Sequence, residues 1–149
     1  MTDPQTGRTP GAQAGVRRLD HVAIPVNDME AMVAFYRALG FTVDDSFAPR
    51  LVSVCQGDMK INLHSPRLWQ SSRFDLRGPS AAPGCGDVCM VWDGPEEALV
   101  AMLASASIEI IEGPVERVGG KDLGSATGVS RYVRDPEHNL LEFIVYPID

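Results

Sequence analysis

Two stretches of this chain, LDHVAIPV at 19–26 and CGDVCMVW at 85–92, begin the same pattern. In the first, Val22, Ile24 and Val26 alternate with His21 and Ala23; in the second, Val88, Met90 and Trp92 alternate with Asp87 and Cys89. Alternation with period two marks a strand buried on one face. Each stretch is followed by a helical signal. NDMEAMVAFYRALG has a capping Asn27 or Asp28, an apolar stripe of Met32, Phe35, Tyr36 and Leu39, and a terminating Gly40. DGPEEALVAMLASA carries Pro95 and two glutamates in its first turn. Strand-like segments follow at 41–47, 50–56 and 59–65, with Gln56–Asp58 as a turn, and again at 108–111, 127–134 and 139–146. Each half therefore reads β-α-β-β-β. The fold class is α+β: two βαβββ modules forming a curled mixed sheet with the helices outside.

The modules span about 18–65 and 84–147 within one domain, 18–149, a size that allows a real core. Residues 1–17, rich in Gly, Pro, Thr and Gln, read as a flexible tail without the apolar stretch of a secretory signal. The segments 66–83 and 112–126 read as loops, the second as a mobile flap. A formal charge of −7 argues against a nucleic-acid partner, and no apolar run is long enough to cross a membrane. Three cysteines without framework spacing point to reduced thiols in a cytoplasm. Cys85 and Cys89 lie roughly 13 Å apart along an ideal strand, too far to pair or to share one ion.

Polar residues stand on the wrong side of the apolar strands. Aligning the two halves matches His21 with Asp87, and Asn62 in MKINLH with Glu142 in NLLEFI. Each has apolar neighbours at i±1 that face the helices, so these four project from the opposite face. Singly, each has an ordinary structural explanation; the register shared between two halves is what sets them apart. Buried charges need partners, and one divalent cation would satisfy His21, Asp87 and Glu142 together as metal ligands. His64 shares Asn62's face, roughly 6.6 Å further along an ideal strand. That position suits an acid/base or a substrate contact, with Glu142 as the other catalytic candidate. A set of His21, His64 and Glu142 would instead be a 2-His-1-carboxylate triad for Fe(II) and dioxygen. Arg131 and Arg134 read as solvated.

The strings LDHVAIPVNDMEAMVAFYRALGF and RYVRDPEHNLLEFIVY resemble the vicinal oxygen chelate superfamily of glyoxalase I, extradiol dioxygenases, fosfomycin-modifying enzymes and bleomycin-binding proteins. The resemblance covers about residues 18–147, and KINLH, IEIIEGPVERVGG and RYVRDPEHNLLE are most similar to its glyoxalase-domain-containing-protein-5-like, virulence-protein-like branch. It implies ligands at His21, Asn62, Asp87 and Glu142. Asp87 stands where histidine is usual, and Asn62 where glyoxalase I has glutamate, so Asn62 is assigned to substrate binding. Ser130 and Tyr132 resemble a Ser-x-Tyr pair of the fosfomycin-modifying members and imply hydroxyl donors to substrate. The resemblance further implies a divalent metal (Mn, Ni, Zn, Mg or Fe), a small oxygen-rich substrate, lyase or isomerase chemistry ahead of dioxygenase chemistry, and a homodimer whose site is built by strands of both chains. The rival it implies is a metal-free, ligand-sequestering binding protein.

Overall fold

The computed structural model describes residues 14–148; most of the tail expected at 1–17 lies outside them. Eight strands form two four-stranded mixed sheets with the same internal order. In the first, β1 (His21–Pro25) pairs parallel with β4 (Met59–His64), and β3 (Leu51–Gln56) and β2 (Thr42–Asp44) complete the order β1-β4-β3-β2. In the second, β5 (Asp87–Val91) pairs parallel with β8 (Leu140–Val145), and β7 (Thr127–Arg134) and β6 (Glu112–Val118) complete β5-β8-β7-β6. Helix α1 (Met29–Ala38) crosses between β1 and β2, and α3 (Glu96–Ser105) between β5 and β6. Short helical turns α2 (Pro66–Trp69) and α4 (Lys121–Gly124) lie in the connections.

The alternation seen in the sequence sets the core. Ile24, Val26, Ile61 and Leu63 from the first sheet, and Met90, Leu141, Phe143 and Val145 from the second, are buried. They meet Met32 and Tyr36 of α1 and Leu99 and Leu103 of α3 in one apolar cluster. The helices therefore pack on the sheet faces opposite the polar residues, as the period-two pattern requires.

One element differs from the sequence reading. The segment 112–118, expected as part of a flap, is strand β6, paired antiparallel with β7; 108–111 is not a strand. Its residues EGPVERV alternate weakly, and only Gly113 and Val115 are even half-buried, so periodicity does not reveal an exposed edge strand. What remains of the flap is the tip at 119–126, where Asp122 and Leu123 both take positive φ.

The two modules are fastened by the turn DPEHN at 135–139. Asp135, 3% exposed, accepts the Tyr36 hydroxyl of α1 (3.1 Å), the backbone N–H groups of Glu137 and Asn139, and the Asn139 amide (2.8 Å). Burial raises the Tyr36 phenol far above its ordinary pKa, with Asp135 adding to the effect. Glu137 reaches back to accept the N–H groups of Asn27 and Asp28, both at 2.6 Å, placing a carboxylate at the start of α1. Asn139 Oδ1 accepts the Gly86 N–H at 2.7 Å; an added Cβ at Gly86 would lie equally close to that oxygen.

Removing either side of this clasp strands buried polar groups. Tyr36→Phe is expected to lower unfolding stability by about 1–2 kcal/mol, and Asp135→Ala by about 3 kcal/mol or more. Urea denaturation checks both; a neutral Asp135→Ala would contradict the account.

Candidate functional site

The polar residues occupy the sheet faces turned away from the core, and the two modules place them in equivalent register. Asn62 pairs with Ala23, and His21 lies two residues earlier on β1; Glu142 pairs with Cys89, and Asp87 lies two residues earlier on β5. The match of His21 to Asp87 and of Asn62 to Glu142 read from sequence is thus a match of strand geometry.

Each trough is furnished by its own module. In the first, Asn62 Oδ1 accepts the Ser53 hydroxyl at 2.7 Å, which leaves the amide NH2 as the group able to donate to a ligand. His21 Nδ1 is bonded to the Asp20 carboxylate at 2.7 Å. Asp20 is thereby held below the usual carboxylate range, mainly by that hydrogen bond. The carboxylate fixes Nδ1 as the protonated nitrogen and leaves Nε2 as the open lone pair, the outer-sphere arrangement common behind metal-bound histidines. Asp20 stands next to His21 in the sequence; its carboxylate was the overlooked signal.

His64 closes the far end of the same trough. It is 8% exposed and stacks edge-on against Phe74, ring centroids 5.5 Å apart. Burial, and secondarily Arg77, pulls its pKa below the ordinary histidine value, so it is neutral at pH 7. Arg77 comes from the 66–83 linker, where no periodicity or motif distinguishes it.

In the second trough Glu142 Oε1 accepts the Ser130 hydroxyl at 2.5 Å, and Ser130 is fully buried. Tyr132, directly opposite Glu142 in register, accepts the Arg117 Nε–H at 3.0 Å. Arg117 lies on β6, so misreading that strand as a flap hid this partner. The Cys89 thiol is pushed up to about 12, first by burial and then by Glu142 beside it, and stays protonated. A cavity of about 520 Å3 opens here, lined by Cys89, Glu142, Val91, Val118, Lys121 and Tyr146 among others. Val91 and Val118 are each about two-thirds exposed, so apolar surface stands open around the carboxylate.

The structure does not bring His21 together with Asp87 and Glu142 inside one chain. No strand of the first sheet pairs with one of the second, and among the described residues no group of three or more His, Cys, Asp or Glu side chains is placed to hold a metal. Residues of both sheets and of both long helices share one apolar cluster, and the polar faces lie opposite it. Arg131, expected to be solvated, instead points to α3 and pairs with Glu96 at 2.6 Å, its side chain 11% exposed. Arg134 is exposed, donating to the His138 carbonyl.

Residues 18–143 match the Glyoxalase/Bleomycin resistance protein/Dioxygenase superfamily. The chain belongs to this superfamily. It is 35% identical over 134 residues to Virulence protein STM3117 of Salmonella typhimurium, covering 88% of this chain and 85% of that protein. The crystal structure of STM3117 superposes with a TM-score of 0.77, covering 90% of this chain and all of that one. A second relative, Glyoxalase domain-containing protein RDO1 of Mycosarcoma maydis, is 35% identical over 136 residues, 90% of this chain and 71% of the relative. In fold alone the chain is similar to lactoylglutathione lyase from Agrobacterium tumefaciens (22% identity, TM-score 0.64, 88% and 95% of the two chains). It is likewise similar to TnmS3, an antibiotic binding protein from Streptomyces sp. CB03234 (18% identity, TM-score 0.67, 91% and 100%). One fold thus carries both a lyase and an antibiotic binding protein, so function has to be argued from the site.

A prediction concerns His64. Its folded pKa lies below its unfolded one, so the unfolded chain takes up the proton first as pH falls through about 6.5. Stability contributed by the neutral imidazole is present above that pH and is lost below it. Denaturation midpoints measured from pH 7.5 to 5.5 should fall more steeply in the wild type than in His64→Gln. Parallel slopes would refute the assignment.

Proposed function

We propose that this chain is a divalent-metal-dependent enzyme acting on a small oxygen-rich substrate, with lyase or isomerase chemistry, whose centre is completed by a second copy. His21 of one copy would hold the ion together with Asp87 and Glu142 of the other. The observation that carries this is the His21–Asp20 pair: an imidazole already fixed in one tautomer, with Nε2 free on an open strand face. Two features favour completion by a second copy. β1 and β5, which carry His21 and Asp87, are both edge strands with one unpaired side. Asp87, Val91 and Val118 are exposed on a face that a monomer leaves open.

The donor set fits a divalent cation: one imidazole nitrogen and two carboxylates suit Mn, Fe, Ni, Zn or Mg. Such an ion supplies Lewis-acid stabilisation of charge developing on neighbouring substrate oxygens. The chain's own residues do the rest. Ser130 holds Glu142 Oε1 and leaves Oε2 for an ion or a proton. Asn62 and Tyr132 donate to substrate oxygens. His64, neutral and largely buried, is a substrate contact at the far end of the first trough. The protonated Cys89 keeps a second negative charge away from Glu142. A cytoplasmic setting agrees with three free cysteines.

The second reading is a metal-free, ligand-sequestering protein. The apolar walls of the 520 Å3 cavity, Val91, Val118 and Tyr146, favour it.

Metal analysis of protein purified without chelator separates the two. Near-stoichiometric metal is expected, with a rise in Tm on adding Mn2+, Ni2+, Zn2+ or Fe2+ that is lost in His21→Ala and in Glu142→Ala. Neither variant should bind metal alone. An equal mixture of the two, unfolded and refolded together, should recover about a quarter of the wild-type content, because mixed dimers hold one intact centre. No metal and no Tm shift for the wild type would leave the sequestering reading in place; no recovery on mixing would place the centre within one chain.

A further inference from the structure

The linker between the modules does more than connect them. Ser65–Gln70 turns over the far end of the first trough, held by the Trp69 indole N–H on the Val26 carbonyl at 3.0 Å. The chain then returns through Phe74 and Arg77. Arg77 Nη1 donates to the Ala81 carbonyl at 2.9 Å and to the Gly78 carbonyl at 3.3 Å, so the guanidinium is braced by its own loop. Together they close a cavity of about 40 Å3 lined by Ala23, Pro25, His64, Trp69, Arg77 and Ala81.

Two groups in this cavity lack partners. His64 is 8% exposed and no hydrogen bond joins its ring to another described residue; beside it, Ser65 Oγ is, among the described residues, the fully buried side-chain polar atom without a partner. Arg77 is half-buried, and among the described residues no carboxylate pairs with it and its Nε and Nη2 donors are unspent. No acidic residue lines the cavity: β1 contributes Ala23 and Pro25, α2 contributes Trp69, and the linker contributes Arg77, Gly78 and Ala81. Asp75 of the linker offers Arg77 only its backbone carbonyl, to the Arg77 N–H, and is itself exposed. Buried polar groups are normally satisfied, and a partly desolvated cation is normally paired. The chain supplies no anion here.

We propose that this cavity is a carboxylate subsite, in which Arg77 and His64 donate to the acid group of a small anionic substrate. The cavity volume is that of about one to two water molecules, which suits a planar carboxylate and is tight for a tetrahedral phosphate. The unspent edge of a braced guanidinium matches a carboxylate's two oxygens. The role in turnover rests on the proposed reading of this trough as the substrate site; the binding itself does not. Strand spacing puts the subsite roughly 7 Å from Asn62 and roughly 13 Å from the His21 end. The substrate class is therefore an oxygen-rich carboxylic acid whose acid group lies several bonds from the oxygens offered to the ion. Arg77 becomes the residue that selects acids over their neutral analogues.

Chelator-treated full-length protein tests this without any metal. Acetate, acetamide and inorganic phosphate are titrated while the His64 ring resonances, assigned with His64→Gln, are followed by NMR. Acetate should give a saturable shift and acetamide none. In Arg77→Met the acetate affinity should fall about ten- to a hundredfold, the weight of one to two charge-assisted hydrogen bonds. Glu142→Ala should bind acetate as the wild type does. The proposal is overturned if acetate gives no saturable shift, if acetamide equals it, if phosphate binds more tightly, or if a folded Arg77→Met is unaffected. The comparison of acetate with acetamide needs no variant, so a misfolded Arg77→Met does not blunt the test. Metal binding without acetate binding removes the subsite and leaves the metal centre; acetate binding without metal does the reverse.

Discussion

A single buried carboxylate fixes how the two halves of this molecule meet. Asp135 sits in the turn between β7 and β8, yet one of its partners is the Tyr36 hydroxyl in the other module's helix. A carboxyl group so deeply buried is tolerable only when its oxygens are engaged in hydrogen bonds, and the Glu137 and Asn139 N–H groups and the Asn139 amide complete that set. Glu137, two residues on, adds a carboxylate at the N-terminus of α1, where the helix dipole favours it. Because the clasp docks the first module's helix onto the second module, the apolar faces of both sheets are used up in one core. The remaining faces, carrying His21 and Asn62 on one side and Asp87 and Glu142 on the other, are left as two separate troughs.

That division explains the chemistry available to the chain. Each trough presents one oriented side chain: an imidazole held by Asp20 in one, a carboxylate held by Ser130 in the other. Each is prepared from behind by a hydrogen bond that fixes which atom remains free, which is how proteins preorganise ligands before an ion or substrate arrives. The environments differ as well. The first trough ends in a closed, cationic pocket at His64 and Arg77, while the second opens broadly and is walled by valines and Tyr146. A substrate lying between two such faces would meet charge at one end and apolar surface at the other.

Much of this was legible in the chain. The duplicated β-α-β-β-β order, the α+β class, the core stripe of α1 and the face carrying His21, Asn62, Asp87 and Glu142 all follow from period-two and period-3.6 patterns. Where the pattern was weak, the reading failed. β6 has little apolar alternation because it is an edge strand with almost nothing buried, so it looked like a loop. Arg131 looked solvated because nothing local signals a glutamate at the start of α3. Asp20, adjacent to His21, was available and passed over.

Sequence by itself determined which residues face the helices and which face away, since that depends only on alternation along each strand and on the duplication. Tertiary structure alone decided what those outward residues meet. The hydrogen bonds of Tyr36 to Asp135 and of Arg117 to Tyr132, and the shared lining of one cavity by Arg77 and His64, join positions that no local pattern connects, brought together by loop and strand geometry. His21 and Glu142 lie in different sheets for the same reason: strand pairing joins β1 to β4 and β5 to β8, and local alternation does not encode which strands pair.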